Sequence, residues 1–181
     1  LENLNHRIAS SAFYKDFATG DENNFDNAIH YSYDVQGNVK TMWRHIKESG
    51  LDELKQADYE YDLISGNVNQ LNYQEGEPDA LYHRYSYDAD NRIVKTEVSR
   101  NKVYWENTAI YQYYLHGPLA RTTIGDKGVQ TMDYAYTLQG WLKSVNGIDG
   151  NRFEFLDDET EFAKDVFSYE LFYNSFDYST I

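Results

Sequence analysis

Thirty of the 181 residues are Asp or Glu and five are His, so carboxylate and imidazole chemistry is the first possibility to weigh. Paired acids hydrolyse glycosidic bonds when two of them face each other at a set distance across a cleft. With thirty acids spread along the chain, such pairs arise by chance, and spacing singles out none. The histidines (His6, His30, His45, His83 and His116) have no partner at the spacing of a metal-ligand set, and there is no cysteine to complete one. Asp88-Ala-Asp90-Asn91 opens like a calcium loop but lacks the glycine at the sixth position and the glutamate at the twelfth, so it reads as a turn. Asp157-Asp158-Glu159 with Glu161 reads as a solvated acidic loop with at most weak attraction for Ca²⁺. No G-x-S-x-G elbow, P-loop or dinucleotide fingerprint is present. The expectation is a chain that is not an enzyme and has no catalytic residue, metal or cofactor.

A different pattern stands out once these are set aside. Tyr31-Ser-Tyr33-Asp34, Tyr59-Glu-Tyr61-Asp62 and Tyr85-Ser-Tyr87-Asp88 repeat one phrase, with looser copies at Tyr111-Gln-Tyr113-Tyr114 and Tyr134-Ala-Tyr136-Thr137. The copies begin at residues 31, 59, 85, 111 and 134. A period in the range of 20 to 50 residues, about a quarter-hundred here, signals an array whose units cannot bury an apolar face alone. Tyrosines at i and i+2 place both rings on one face of a strand. Turn residues follow: Gly37 and Asn38, Gly66 and Asn67, then Asp90 and Asn91. Extended sequence returns with Val39-Lys-Thr-Met-Trp43 and Ile93-Val-Lys-Thr-Glu-Val98, so each unit is a β-hairpin. The later copies lose the Asp but keep Gly117 and Gly140, which makes the Asp a turn residue and not a reactive acid. Gly125-Asp-Lys-Gly128 predicts a further hairpin joining Leu119–Ile124 to Val129–Tyr136.

The fold class is therefore all-β, a run of consecutive antiparallel hairpins forming a curved or spiralling open sheet. Residues 1–27 carry Phe13, Tyr14, Phe17 and Phe25 without a clean phrase, and are expected to be a degraded repeat or an edge strand. Residues 28–147 hold the array, and 148–181 an acidic continuation with a further hairpin and a Tyr/Phe strand over 166–173. Polar connectors are expected at Lys47–Gln56, Glu75–Ala80, Arg100–Asn107 and Asn146–Arg152, the first with one short helical turn because Ser49-Gly-Leu-Asp52 resembles a capping box. The 18 tyrosines, with Trp43, Trp105 and Trp141, are expected to stack across neighbouring strands as a ladder; the alternative is an exposed aromatic row that binds sugar rings.

Net charge excludes one partner class. At −14 the chain opposes nucleic acid and anionic lipid, both of which need a basic footprint. No apolar run reaches the roughly 18 to 20 residues that span a bilayer, and no signal peptide opens at Leu1. The chain reads as one stretch of a longer array, whose cut edges would favour dimerisation through open strands.

The phrase Tyr-x-Tyr-Asp-x-x-Gly-Asn/Arg resembles the YD repeat of the Rhs family, large bacterial proteins related in architecture to teneurins. The resemblance covers roughly residues 28 to 147. His116-Gly-Pro-Leu-Ala-Arg121 and Tyr134-Ala-Tyr-Thr-Leu-Gln-Gly-Trp-Leu-Lys143 are also similar to segments just upstream of the Rhs core in Bacteroidetes-type members. The resemblance implies a secreted or cell-surface address and a spiralling β-shell that encloses a C-terminal toxin or effector. The partners it implies are the remainder of the chain's own longer sequence and that effector. The Asp-Pro-x-Gly type of cleavage segment has no counterpart, since Pro78 follows Glu77 and Pro118 follows Gly117. Three functions remain to be weighed: a non-catalytic wall segment, a glycan-binding surface module, and an enzyme.

Overall fold

The computed structural model describes residues 1–14, 25–48, 51–147 and 167–173. Phe17, residues 49–50, the acidic stretch 157–165 and the rest of 148–166 and 174–181 lie outside the described residues. The strands are β1 (Ser10–Phe13), β2 (Asn27–Tyr33), β3 (Val39–Glu48), β4 (Leu51–Tyr61), β5 (Val68–Tyr73) and β6 (Leu81–Tyr87). They continue with β7 (Ile93–Ser99), β8 (Glu106–Tyr113), β9 (Leu119–Ile124), β10 (Gln130–Tyr136), β11 (Leu142–Val145) and β12 (Tyr169–Glu170). Sheet order equals chain order, β1 to β12, so the fold is an antiparallel sheet of twelve strands in hairpin succession, with no strand of that order closing it into a barrel. By contacts the chain divides into two units, Leu1–Tyr85 with Val98–Trp105, and Ser86–Glu97 with Glu106–Ile181.

In the first unit the pleat separates two chemistries. Tyr31, Met42, Ala57 and Tyr73 fall in register on one face, with Tyr33, Tyr59, Tyr61 and Leu71 beside them. Ser32, Thr41, Asp58, Asn72 and Tyr82 line up on the other. That second face is polar yet largely buried, and its groups bond one another. Thr41 donates to Asp58 at 2.7 Å, as does the Gln56 amide, and Trp43 donates to Gln56 at 3.0 Å. Asn72 donates to Glu60 and accepts from Gln70, both at 2.7 Å. In the second unit the corresponding device is an Arg121–Asp133 pair between β9 and β10, bidentate at 2.5 and 2.7 Å and nearly closed to water. Among the described residues every buried side-chain nitrogen and oxygen has a partner. The buried apolar positions are mostly small: Ala28, Ala57, Ala109, Ala120 and Ala135. Among the described residues no large side chain is fully enclosed.

Two expectations change. Among the described residues of Lys47–Gln56 there is no helical turn: β3 runs through Glu48, β4 starts at Leu51, and Thr41 to Glu48 pair with Leu51 to Asp58. The weak capping box yields because strand pairing satisfies those backbone groups. The tyrosines do not form a cross-strand ladder either. Tyr31 faces Met42 and Tyr59 faces Leu71 across the strands. Their rings instead pair along one strand, Tyr31 with Tyr33 and Tyr59 with Tyr61, each at 6.4 Å. Consecutive phrases are two strands apart, and a ring contact that does bridge two of them is Tyr114 against Tyr136, edge to face at 6.4 Å.

What joins one hairpin to the next, at Tyr33, Tyr61 and Tyr113, is the second tyrosine of the phrase. A register shift falls just before it at Ser32/Tyr33, Glu60/Tyr61, Gln112/Tyr113 and Ala135/Tyr136. The return strand carries one extra residue there (Lys40, Asn69, Ala120 and Lys143), a β-bulge that bends the strand. Pairing of β3 with β4 stops at Thr41, which leaves Val39 beyond the ladder. The Tyr61 hydroxyl crosses that gap and donates to the Val39 carbonyl at 2.9 Å. Tyr33 does the same to Ile8 at 2.9 Å, and Tyr113 to Ile93 at 2.7 Å. Removing the hydroxyl alone isolates this bond: Tyr61→Phe and Tyr113→Phe should each lower the urea-unfolding free energy by about 1 kcal/mol. Tyr61→Ala also removes the ring, and should cost about 2–4 kcal/mol.

Candidate functional site

The repeated joint is the one feature built the same way several times, and its turn chemistry follows from the residues. Asp34 accepts from the N–H of Gly37 at 2.7 Å and of Asn38 at 2.9 Å, and from the Asn38 amide at 3.0 Å. Asp88 accepts from the N–H groups of Asp90 and Arg92, both at 2.9 Å, and from the Arg92 guanidinium at 2.7 Å. The loop after Asp62 is one residue longer. There Asp62 accepts from the N–H of Ile64 and Ser65 and from the Ser65 hydroxyl, which in turn accepts from Asn67 at 3.3 Å. Positive φ falls on Gly37, Gly66, Asn91, Gly117 and Gly140, the place where each turn reverses.

The copies without Asp show why they can do without it. The residue four places on needs an acceptor for its N–H. Thr137 supplies one, its Oγ1 accepting from Trp141 at 3.2 Å. At Tyr114 the residue four places on is Pro118, which has no N–H, so no acceptor is required. Tyr114 turns its hydroxyl elsewhere, donating to the Tyr134 carbonyl at 2.8 Å, while its ring lies against His116 at 5.3 Å and Tyr136 at 6.4 Å.

The last turn residue reaches the next joint. Arg92 lies 4.5 Å from the centre of the Tyr113 ring and donates to the Gly117 carbonyl at 3.2 Å. Arg7 lies 5.4 Å from that of Tyr33, and a side chain on Gly37 would run into its guanidinium. Trp141 replaces the cation with a ring, 5.2 Å from Tyr173. Tyr173 completes the pattern by donating to the Leu142 carbonyl at 2.8 Å.

Each expected motif residue thus has a place. Tyr31, Tyr59, Tyr85, Tyr111 and Tyr134 sit two residues before the strand ends; Tyr33, Tyr61, Tyr87, Tyr113 and Tyr136 end their strands; Asp34, Asp62, Asp88, Gly37, Gly66, Asn91, Gly117 and Gly140 build the turns. The sequence reading missed two copies. Asn3-Leu-Asn-His-Arg7-Ile8 matches Asp88-Ala-Asp-Asn-Arg92-Ile93 position by position, with His6 at φ +60 where Asn91 stands. It lacks the tyrosine phrase used to find the others. Tyr173 is the second: its strand β12 is two residues long, and Tyr173 falls off the period of the earlier copies. Asn174, next in the sequence, was the signal that marks it.

Other reactive groups are dispersed. His45 pairs with the exposed Asp52 at 2.5 Å, and that hydrogen bond lowers the Asp52 pKa. Burial lowers the pKa of His83. No cluster of three or more His, Asp or Glu residues that could hold a metal ion occurs among the described residues. Trp43 is bonded to Gln56, and Trp105 lies under Arg84 at 4.2 Å. An open groove of about 690 Å³ in the second unit is lined by Tyr111, Tyr113, Tyr114, Leu115, His116 and Arg92 among others.

Known proteins bear on the fold alone. The chain matches no protein family and no curated protein. Among solved structures it is similar to TcdB2-TccC3 without its hypervariable C-terminal region. The TM-score is 0.54 at 13% identity, over 77% of this chain and 8% of that one.

Titration should reveal the turn and joint chemistry. Partial desolvation pushes the Asp34 carboxyl up, but hydrogen bonds from Asn38 and from the turn amides outweigh it and lower its pKa; amide and Ser65 bonds lower that of Asp62, and Arg92 and amide bonds that of Asp88. A depressed carboxyl stabilises the fold above its unfolded value of 3.8, and that contribution disappears as pH falls through the folded value. Burial raises the phenols of Tyr61, Tyr87, Tyr113, Tyr114 and Tyr136. Their contribution is complete below 10.0 and is lost at higher pH. Stability measured by urea unfolding should fall on both flanks, below about pH 4 and above about pH 10. A profile still level at pH 3 would contradict the turn assignment. Thr137→Ala should cost about 0.5–1.5 kcal/mol, whereas Tyr114→Asp should gain no turn bond to Pro118.

Proposed function

We propose that this chain is a structural segment of an Rhs/YD-repeat shell, one that walls off and carries a C-terminal toxin or effector at the cell surface or after secretion. The observation that carries the reading is the repeated joint. A bond from the second tyrosine to the preceding strand recurs at Tyr33, Tyr61, Tyr113 and Tyr173, so hairpins can be added by a repeated step, which suits a long wall better than a compact site. The similarity in fold to TcdB2-TccC3 supports the same reading. The reading assigns the chain no reaction of its own. Its partners are the remainder of its longer chain and the enclosed effector, with no nucleic acid among them.

Limited proteolysis of the full natural protein tests this. The terminal domain should survive protease for as long as the hairpin-repeat region stays intact, and become sensitive once that region is cut. Digestion of that domain at the rate of its isolated form would refute the carrier reading. Saturable binding of the 181-residue chain on a glycan array would favour the surface-binding alternative, with the Tyr111–His116 groove as its place.

A further inference from the structure

Asn146-Gly147 is the one Asn-Gly pair in the 181 residues, and it lies just where β11 ends. Asparagine is thermolabile, most of all before glycine, whose backbone nitrogen no side chain shields from the neighbouring amide. Both residues have positive φ, +58 for Asn146 and +44 for Gly147, which turns the chain away from the strand. The Asn146 side chain is fully engaged. Its Oδ1 accepts from the Asp133 N–H at 2.8 Å, and its Nδ2 donates to the Phe167 carbonyl at 3.0 Å. Its backbone N–H donates to the Asp133 carbonyl at 2.9 Å. An amide suits this place because one end meets a donor and the other an acceptor. Asn146 therefore clasps β10 on one side and the segment leading into β12 on the other.

The second partner is held lightly. β12 is two residues long and pairs with β11 through Ser144–Glu170 and Val145–Tyr169. The Leu171 N–H adds a bond to the Lys143 carbonyl, and the Tyr173 hydroxyl one to the Leu142 carbonyl, both at 2.8 Å. Phe167, Tyr169, Leu171, Phe172 and Tyr173 are each 40–47% exposed, so apolar burial contributes little to keeping the segment in place. Segments with so little burial open locally while the rest of a sheet stays formed.

We propose that Asn146-Gly147 is a fold-gated deamidation site, at which opening of β12 becomes permanent. While β12 is seated, both ends of the Asn146 amide are held, and its Cγ cannot swing onto the Gly147 nitrogen. Once Phe167 leaves, one end is free. The Gly147 nitrogen then gives up its proton to solvent and attacks Cγ; the bond from Cγ to the amide nitrogen breaks, and that nitrogen leaves as ammonia. Water opens the resulting succinimide at either carbonyl, to Asp or to isoaspartate. The net change converts an amide and a water into a carboxylate and an ammonium ion. Neither product remakes the clasp. A carboxylate has no proton to donate to the Phe167 carbonyl and sets negative charge against that oxygen. Isoaspartate also lengthens the main chain by one carbon, which breaks the register of the backbone bond to Asp133. The proposal does not rest on the carrier reading.

Peptide mass spectrometry of the 181-residue chain, incubated at mildly alkaline pH with and without urea, tests the gate. In urea Asn146 should deamidate ahead of the other asparagines, and in the folded chain at least about tenfold more slowly than in urea. Equal rates in the two conditions would overturn the gate, as would an Asn146 no faster than the other asparagines in urea. Hydrogen exchange on Asn146→Asp, which carries one of the two products from the start, tests the consequence. Amides of residues 167–173 should exchange at least about tenfold faster than in the parent, while β8 and β9 keep their parent rates. Parent-like exchange over 167–173 would overturn the detachment of β12. Exchange that rises in every strand would overturn it too, because Asn146 would then hold the whole fold and not one segment.

Discussion

The structure depends on one hydrogen bond made repeatedly. Where two hairpins meet, the strand entering the new repeat outruns the return strand of the old one, and a backbone carbonyl is left beyond the ladder. The phenol of the second tyrosine covers that carbonyl at Ile8, Val39, Ile93 and Leu142. Tyrosine suits the position because its ring spans the gap over apolar neighbours while its hydroxyl still donates. Phenylalanine would fill the space and leave the carbonyl unmet. The bulge before Tyr33, Tyr61 and Tyr113 and the Arg or Trp laid against Tyr33, Tyr113 and Tyr173 follow from the same requirement, which is to fix the ring over the gap.

A single sheet has little with which to make a core, and this one buries alanines and bonded polar groups in place of large apolar side chains. Its stability comes from pairing, from side-chain networks such as Thr41–Asp58–Gln56, and from joints that tie neighbour to neighbour. Such energetics are local, so any one hairpin is held mainly by those beside it. That is the behaviour the proposed wall would require.

Much of this was legible in the sequence. The period, the hairpin unit, the turn role of Asp34, Asp62 and Asp88 and the all-β fold follow from Tyr-x-Tyr spacing and Asp/Gly/Asn chemistry, which act over a few residues. What was not legible depends on register. Met42 and Leu71 stand between tyrosine phrases because strands pair in order, a fact that no local spacing reveals. Ser49-Gly-Leu-Asp52 has the composition of a helix start, but pairing along Thr41 to Asp58 overrides it. Arg7 and Tyr173 were hidden for a third reason: each belongs to a copy that keeps only half of the phrase, so a search for tyrosine pairs passes over it.

The most direct test of the joint is hydrogen exchange, read peptide by peptide, on Tyr61→Phe beside the parent. If the phenol ties two hairpins together, amides near the β2–β3 and β4–β5 turns should both exchange faster, while those of β8 to β11 keep their parent rates. Exchange that matches the parent throughout, or that rises equally in every strand, would contradict the account.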